Sequence, residues 1–315
     1  MTLDTIFPIA GLILGLVLLI YSSNKAIEHT IKIALEWGIS PFIIGLIIVS
    51  IGTDFPEIVN SIVSSSLGHA DISIGDSIGS VLTQMTLVIG LLPFVIKKFR
   101  VNRKKILIIG ACEVLALILA VSIAEKGYIT RINALLLVAS WPVFVLLIQS
   151  ATRKRSIEDR DPTETFVKKN FSHFLFVVLG FIGVSIGAYV VVQSVIQLSA
   201  SFHVSEFIIS FFVLAIGTSL PELVVGVIAI RKGQIELTIG NAIGSCIVDA
   251  TIAIGIGQLL FPQIVSGQTA MITGLYAIFG SIVVIITLAL RKKLDKKAGA
   301  LFILIYLLSY VLLAV

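Results

Sequence analysis

Two short blocks of polar and helix-breaking residues lie inside long apolar runs of this chain. Residues 51–57 read Ile-Gly-Thr-Asp-Phe-Pro-Glu, and residues 216–222 read Ile-Gly-Thr-Ser-Leu-Pro-Glu. Each is followed by a second block, Gly-Asp-Ser-Ile-Gly-Ser at 75–80 and Gly-Asn-Ala-Ile-Gly-Ser at 240–245. Both blocks recur at one offset of 165 residues, from 52 to 217 and from 75 to 240. Because ionisable groups and helix breakers are costly in lipid, the repeated blocks indicate a functional site.

The residue types in these blocks favour binding of a hard cation. The prolines at 56 and 221 remove a backbone donor, and the glycines at 52 and 217 let the backbone loosen. Carbonyl oxygens freed in this way are tolerated in a bilayer where they line a cavity or bind a ligand. Carboxylate, hydroxyl and carbonyl oxygens suit Ca²⁺ and Na⁺, and no His or Cys cluster accompanies them, which argues against zinc or copper.

Helical spacing places further oxygen ligands near the two blocks. Ser80 and Gln84 are four residues apart, as are Ser245 and Asp249, and Asp54 precedes the glutamate at 57 by three. Four carboxylates, at positions 54, 57, 222 and 249, are expected to converge. Two carboxylates about 5 Å apart repel by roughly 3 kcal/mol at an effective dielectric near 20. Such a group must therefore hold cations or protons.

Composition identifies the elements that position these residues as membrane helices. Of the 315 residues, 57% are apolar and 13% are charged, and the mean hydropathy is +1.09. A soluble domain carries about 25% charged residues. The apolar runs approach the length of about 20 residues that crosses a bilayer. The basic residues lie in short loops, so the net charge of +5 does not indicate nucleic-acid binding. Ten spans are predicted near 6–33, 40–65, 71–95, 104–124, 129–150, 170–201, 205–230, 235–261, 269–290 and 298–314.

The loops between the predicted spans give an orientation and a repeat. Of the 23 basic residues, 19 lie in the loops after spans three, five, seven and nine, and the opposite side holds only Lys126 and Arg131. The basic side is expected to be cytoplasmic, which leaves both termini extracellular. An odd number of spans per repeat inverts the second copy. The prediction is an all-α polytopic protein of the cell membrane with two inverted five-helix repeats, 1–150 and 170–315, joined by a cytoplasmic linker, 151–169. The over-long first and sixth spans are expected to be strongly tilted.

The paired Gly-Thr-x-x-Pro-Glu and Gly-(Asp/Asn)-x-x-Gly-Ser blocks resemble the α-repeats of the cation/Ca²⁺ exchanger superfamily, which includes the Na⁺/Ca²⁺ exchangers. The resemblance covers essentially the whole chain. It implies a secondary antiporter that works by alternating access on inorganic cations, as a monomer, with no enzymatic activity and no cofactor besides the transported Na⁺ and Ca²⁺. With the residues identified by spacing, it gives the candidate metal ligands Thr53, Asp54, Glu57, Ser80, Gln84, Thr218, Ser219, Glu222, Ser245 and Asp249.

Two positions depart from the family pattern. Asp54 stands where a serine is usual, as Ser219 is in the second half, and Gln84 stands where an asparagine or aspartate is usual. These departures leave open an exchanger coupled to H⁺ or K⁺, or one that moves Mg²⁺. A cation channel and an intramembrane enzyme are the alternatives from other classes. Asp76 and Asn241 are expected to cap half-helices, with ion binding as the alternative.

Overall fold

The computed structural model describes residues 3–36, 50–96, 98–152, 171–231 and 235–313. This part of the chain is mostly helical, and nine helical segments in it are long and apolar enough to cross a membrane. The helices are α1 Leu3–Glu36, α2 Ser50–Thr53, α3 Phe55–Ser66, α4 Ala70–Leu82, α5 Ile89–Val95, α6 Arg103–Ala124, α7 Arg131–Thr152, α8 Phe171–Phe202, α9 Glu206–Ile209, α10 Ala215–Thr218, α11 Leu220–Arg231, α12 Ile235–Val248, α13 Ile254–Leu260, α14 Gly267–Arg291 and α15 Lys296–Leu313.

Three π-helical turns and two short strands complete the described elements. The π-helical turns join α4 to α5, α9 to α10, and α12 to α13, so that each pair continues as one membrane segment. Their bounds are Thr83–Val88, Ser210–Leu214 and Asp249–Ala253, and the strands are β1 Lys98–Arg100 and β2 Lys293–Asp295.

The observed helices follow the predicted spans closely, with one gap. Nine predicted spans have a counterpart among the nine membrane-length segments. The tenth, predicted near 40–65, falls partly on residues 37–49, which lie outside the described residues. Its described remainder forms α2 and α3, with a break between them.

Helices α1 and α8 form a long antiparallel pair. They contain 34 and 32 residues. At 1.5 Å per residue each is about 50 Å long, well beyond the roughly 30 Å of hydrocarbon in a bilayer. Gly11 approaches Ser194, whereas Gly180 approaches Ala26, which sets the antiparallel direction. At Gly187 a Cβ atom would lie 2.7 Å from the backbone nitrogen of Leu19, so the close approach of the two helices requires glycine there.

Helix α4 lies at the centre of the described structure. Twelve of its thirteen residues are buried, among them Ile74 and Ile78 in the largest apolar cluster. A Cβ atom at Gly75 or Gly79 would overlap the carbonyl oxygens of Phe207 and Phe211 in the segment that precedes α10. The glycines at 75 and 79 therefore bring α4 into backbone contact with the segment that leads into residues 216–222, the Gly-Thr-x-x-Pro-Glu block of the second half.

Two pairings between loops mark opposite ends of the helices. At one end β1 and β2 are antiparallel, with Lys98 opposite Asp295 and Arg100 opposite Lys293. Asp295 accepts a hydrogen bond from the Ala298 backbone nitrogen at 3.1 Å, which lowers the pKa of its carboxyl group. At the other end an antiparallel bridge joins Tyr128 to Ile264. Helices α6 and α14 run between these two ends.

Candidate ion-binding site

Each Gly-Thr-x-x-Pro-Glu block forms a helix break of the same shape. Helix α2 ends at Thr53 and α3 begins at Phe55, and Asp54 between them has φ −89° and ψ 9°. In the second half, Ser219 separates α10 from α11 with φ −80° and ψ 2°. The proline is the second residue of each new helix, within the first turn, where helices tolerate proline. Both glutamates thereby enter the first turn of a helix that starts in the membrane interior.

The π-helical turns carry the amide and carboxylate ligands predicted after the second block. Gln84 lies in the first of these turns and Asp249 begins the third. The Gln84 Nε2 atom donates a hydrogen bond to Asp249 Oδ2 at 3.0 Å. These two residues are 165 positions apart, so the bond joins equivalent positions of the two halves. π-Helical turns are rare and often accompany functional sites, because they re-aim side chains and loosen the backbone.

Two hydroxyl pairs connect each helix break to the second block of the other half. Thr53 Oγ1 lies 3.3 Å from Ser245 Oγ, and Thr218 Oγ1 lies 3.3 Å from Ser80 Oγ. The offset of 165 converts one pair into the other, and the two distances are equal. The halves therefore present matching hydroxyl groups to one shared space.

Four carboxylates face this space with little hydrogen bonding. Asp54, Glu57, Glu222 and Asp249 are each at most 1% exposed. Both oxygens of the first three, and Oδ1 of Asp249, accept no hydrogen bond from the described part of the chain. Asp54 is near enough to Glu222 and Ser245 to interact electrostatically, without hydrogen bonds of normal geometry. Glu57 interacts electrostatically with all three other carboxylates. The arrangement concentrates negative charge in a water-poor interior.

The cationic side chains of the described chain do not neutralise this charge. Ion pairs within the described ranges lie elsewhere and involve Glu28, Glu206 and Asp295. The same ranges contain no three His, Cys, Asp or Glu side chains spaced as a preformed metal site. A cation bound here would combine carboxylates with hydroxyl, amide and backbone oxygens, a mixed set that Ca²⁺ and Na⁺ accept.

Nine of the ten predicted ligands belong to one network of contacts. Hydroxyl pairs, the bond between Gln84 and Asp249, and electrostatic contacts between carboxylates link them. Ser219 is the remaining one: it is buried in the second helix break, and its hydroxyl forms no hydrogen bond with the described residues. The linked ones are Thr53, Asp54, Glu57, Ser80, Gln84, Thr218, Glu222, Ser245 and Asp249.

Sequence reasoning missed Asn60 and assigned the wrong role to Asp76 and Asn241. Asp76 lies inside α4 and Asn241 inside α12, so the prediction that they cap half-helices was wrong. Asp76 instead accepts hydrogen bonds from Asn60 Nδ2 at 2.7 Å and Thr218 Oγ1 at 3.0 Å. The available signal was that Asn60 lies three residues after Glu57 and so shares its helix face.

Comparison with known proteins agrees with this geometry. The family described as "Sodium/calcium exchanger protein" matches residues 7–149 and residues 172–315. The chain belongs to the sodium/calcium exchanger family. The two matched segments begin 165 residues apart, which is the offset of the repeated blocks.

Relatives from this family extend over nearly the whole chain. The putative antiporter CaxA of Alkalimonas amylolytica is 27% identical, over 98% of this chain and 97% of that protein. The sodium/calcium exchanger MaX1 of Methanosarcina acetivorans is 26% identical, over 96% and 97%. A solved structure of the sodium-calcium exchanger NCX_Mj superimposes with a TM-score of 0.63 at 27% identity, covering 98% of both chains.

The close packing at Gly79 generates a test of how the site is held together. In Gly79→Ala the new methyl group would overlap the Phe211 carbonyl oxygen and lie 2.8 Å from Ala215 Cβ. We expect a loss of stability of about 1–3 kcal/mol, the usual cost of overpacking, measured as a lower thermal unfolding midpoint in detergent. Gly226→Ala is the matched control, because its methyl group would meet ordinary contacts at 3.5 Å or more. Equal midpoints for the two variants would contradict the proposed contact.

Proposed function

We propose that this protein is a secondary active antiporter that exchanges Na⁺ for Ca²⁺ by alternating access at the site between the helix breaks. The proposal is carried by Glu57 and Glu222, which occupy equivalent positions in the two halves. Each is buried in the first turn after a helix break, and their carboxylate oxygens accept no hydrogen bond from the described residues. Buried carboxylates without donors or countercharges need cations or protons. The ions named for the relatives, sodium and calcium, are hard cations of the class that such oxygens bind.

The ten predicted ligands divide between the two halves of the proposed site. We assign Glu57 and Glu222 as the main Ca²⁺ ligands, because they occupy equivalent positions in the two halves and combine full burial with free carboxylate oxygens. The hydroxyls of Thr53, Ser80, Thr218, Ser219 and Ser245 supply weaker neutral ligands, which suit Na⁺. Asp54, Gln84 and Asp249 complete the set. Na⁺ and Ca²⁺ would compete for these oxygens, which couples the release of one ion to the binding of the other.

The direction of equivalent helices supports an inverted repeat. Helix α6 leads from the β1 end to Tyr128, whereas α14 leads from Ile264 to the β2 end. Because β1 pairs with β2 and Tyr128 pairs with Ile264, these two helices run in opposite directions. They occupy equivalent positions in the two halves, because residue 103, where α6 begins, corresponds at the offset of 165 to residue 268, the second residue of α14. Helices α2, α3, α5 and α7 also begin 165 residues before α10, α11, α13 and α15.

This symmetry supports a topology of ten spans. The repeats would be residues 1–150 and 170–315, with the linker 151–169 between them. The second span would run from about residue 40 through α3 and complete the first repeat. The paired strands carry Lys98, Arg100 and Lys293, so the positive-inside rule places their end in the cytoplasm and both termini outside the cell. A monomer is the proposed unit, because both halves of the site come from one chain.

Asp54 is the residue that leaves open coupling to K⁺ or H⁺, or transport of Mg²⁺. It adds a buried carboxylate where the other half has Ser219, and it interacts electrostatically with Glu222. An additional negative charge calls for an additional positive one, which K⁺ or H⁺ could supply, or for a cation of higher charge density such as Mg²⁺. A cation channel is disfavoured, because a channel needs a continuous pore, whereas an inverted repeat within one chain favours a closed central site.

Replacement of either central glutamate tests the site. We expect Glu57→Gln and Glu222→Gln to fold but to lose Na⁺-driven Ca²⁺ flux in proteoliposomes by about 100-fold, since each removes a charge interaction worth roughly 3 kcal/mol. Glu113→Gln is the matched control: Glu113 is also fully buried, but it bonds to Ser281 on α14. Near-normal flux in either site variant would refute the assignment of the main ligands.

Replacement of Asp54 tests the form of coupling. Asp54→Ser makes the two helix breaks alike and removes one negative charge. We expect the relative Ca²⁺ fluxes driven by Na⁺, K⁺ and H⁺ gradients, or the preference for Ca²⁺ over Mg²⁺, to change several-fold. A profile identical to that of the unmodified protein would show that Asp54 takes no part in ion selection.

A further inference from the structure

Asp76 forms a polar bridge behind the second helix break. It is 1% exposed, and both of its oxygens are used: Oδ2 accepts from Asn60 Nδ2 at 2.7 Å, and Oδ1 accepts from Thr218 Oγ1 at 3.0 Å. One carboxylate therefore ties α3, α4 and the end of α10 together. Both hydrogen bonds of Asp76 come from neutral donors, and Asp76 also interacts electrostatically with Glu57 and Asp249. Its oxygens are thus occupied, unlike those of the carboxylates that lack donors.

The bond to Asp76 sets the direction of the Thr218 hydroxyl. A hydroxyl group has one proton and two lone pairs, and only a lone pair can bind a cation. Three acceptors surround the Thr218 proton: Asp76 Oδ1 at 3.0 Å, the Leu214 carbonyl oxygen at 3.3 Å and Ser80 Oγ at 3.3 Å. The carboxylate is both the nearest and the strongest acceptor. The proton thus points away from Ser80, and a lone pair faces the site. Donation to a negative group also polarises the oxygen and makes it a better ligand.

The first half has a different arrangement. Thr53 is equivalent to Thr218, but the position equivalent to Asp76 is Asn241, a neutral amide. Thr53 lies beside Ser245 and interacts electrostatically with Glu222. The two threonines thus have equivalent places in the repeat and different charges behind them.

We propose that Asp76 is a positioning residue that holds Thr218 as an oxygen ligand and thereby sets the apparent affinity of the second half-site for the cation that Thr218 contacts. This inference rests on the proposed exchange function. It assigns to Asp76 a role exerted through Thr218 rather than through direct contact with the ion.

The test is a double-mutant cycle between Asp76→Asn and Thr218→Val, with Na⁺ and Ca²⁺ concentration dependences of flux in proteoliposomes. Asparagine offers one acceptor oxygen to two donors, so at least one bond is lost or reversed. We expect Asp76→Asn to raise the half-saturating concentration of the same ion that Thr218→Val affects, about five-fold or more, with little change in maximal rate. In the Thr218→Val background it should have no further effect. Combined with Thr53→Val its effect should be additive.

Additive effects of Asp76→Asn and Thr218→Val, or a fall in maximal rate alone, would overturn the inference. Ser77→Ala is the matched control, since Ser77 is buried in the same helix and its hydroxyl bonds to none of the described residues. If Asp76→Asn fails to fold, Asn60→Ala replaces it in the same cycle, because it removes the other support of Asp76. Absence of flux in the unmodified protein would contradict the proposed function, whereas normal flux with a silent Thr218→Val would contradict this inference alone.

Discussion

The burial of several carboxylates away from the cationic side chains of the described residues constrains every other part of the site. Asp54, Glu57, Glu222 and Asp249 lie together at almost zero exposure, and ion pairs in the described residues lie elsewhere. The energetic cost of such a group is tens of kcal/mol in a dry medium unless something neutralises it. Mobile cations can neutralise the carboxylates. Because bound cations can also leave, a site that requires them can transport them.

The helix breaks and close packing serve this constraint. A continuous helix keeps its carbonyl groups bonded internally, so it offers the ion only side chains. Each break is followed by a proline that supplies no backbone donor, and π-helical turns lie at Gln84 and Asp249, so the backbone bonding departs from the regular helical pattern at the depth of the carboxylates. Gly79, in backbone contact with the segment before α10, keeps the two halves near enough to share one site. The long pair α1 and α8 lies against this core.

Much of this arrangement could be predicted from the sequence, because both polar blocks occur twice at a fixed offset. Apolar runs gave the helices, and the offset of 165 residues paired Gln84 with Asp249, which the structure places in direct hydrogen bonding. Membership of the exchanger family is confirmed by the match over both halves. The hydrogen bonds of Asp76 could not be predicted, since its partners Asn60 and Thr218 come from two other segments and depend on how α4 packs against them. The π-helical turns likewise have no sequence pattern that distinguishes them from ordinary helix.

We propose that one buried set of oxygens binds Na⁺ and Ca²⁺ in turn. The most direct measurement is Ca²⁺ uptake by proteoliposomes loaded with Na⁺ and diluted into Na⁺-free medium containing a lower Ca²⁺ concentration than the lumen. We expect the outward Na⁺ gradient to drive Ca²⁺ inward against its own gradient, and uptake to stop when external Na⁺ is raised to the internal level. Ca²⁺ movement only down its own gradient, whatever the Na⁺ gradient, would contradict it.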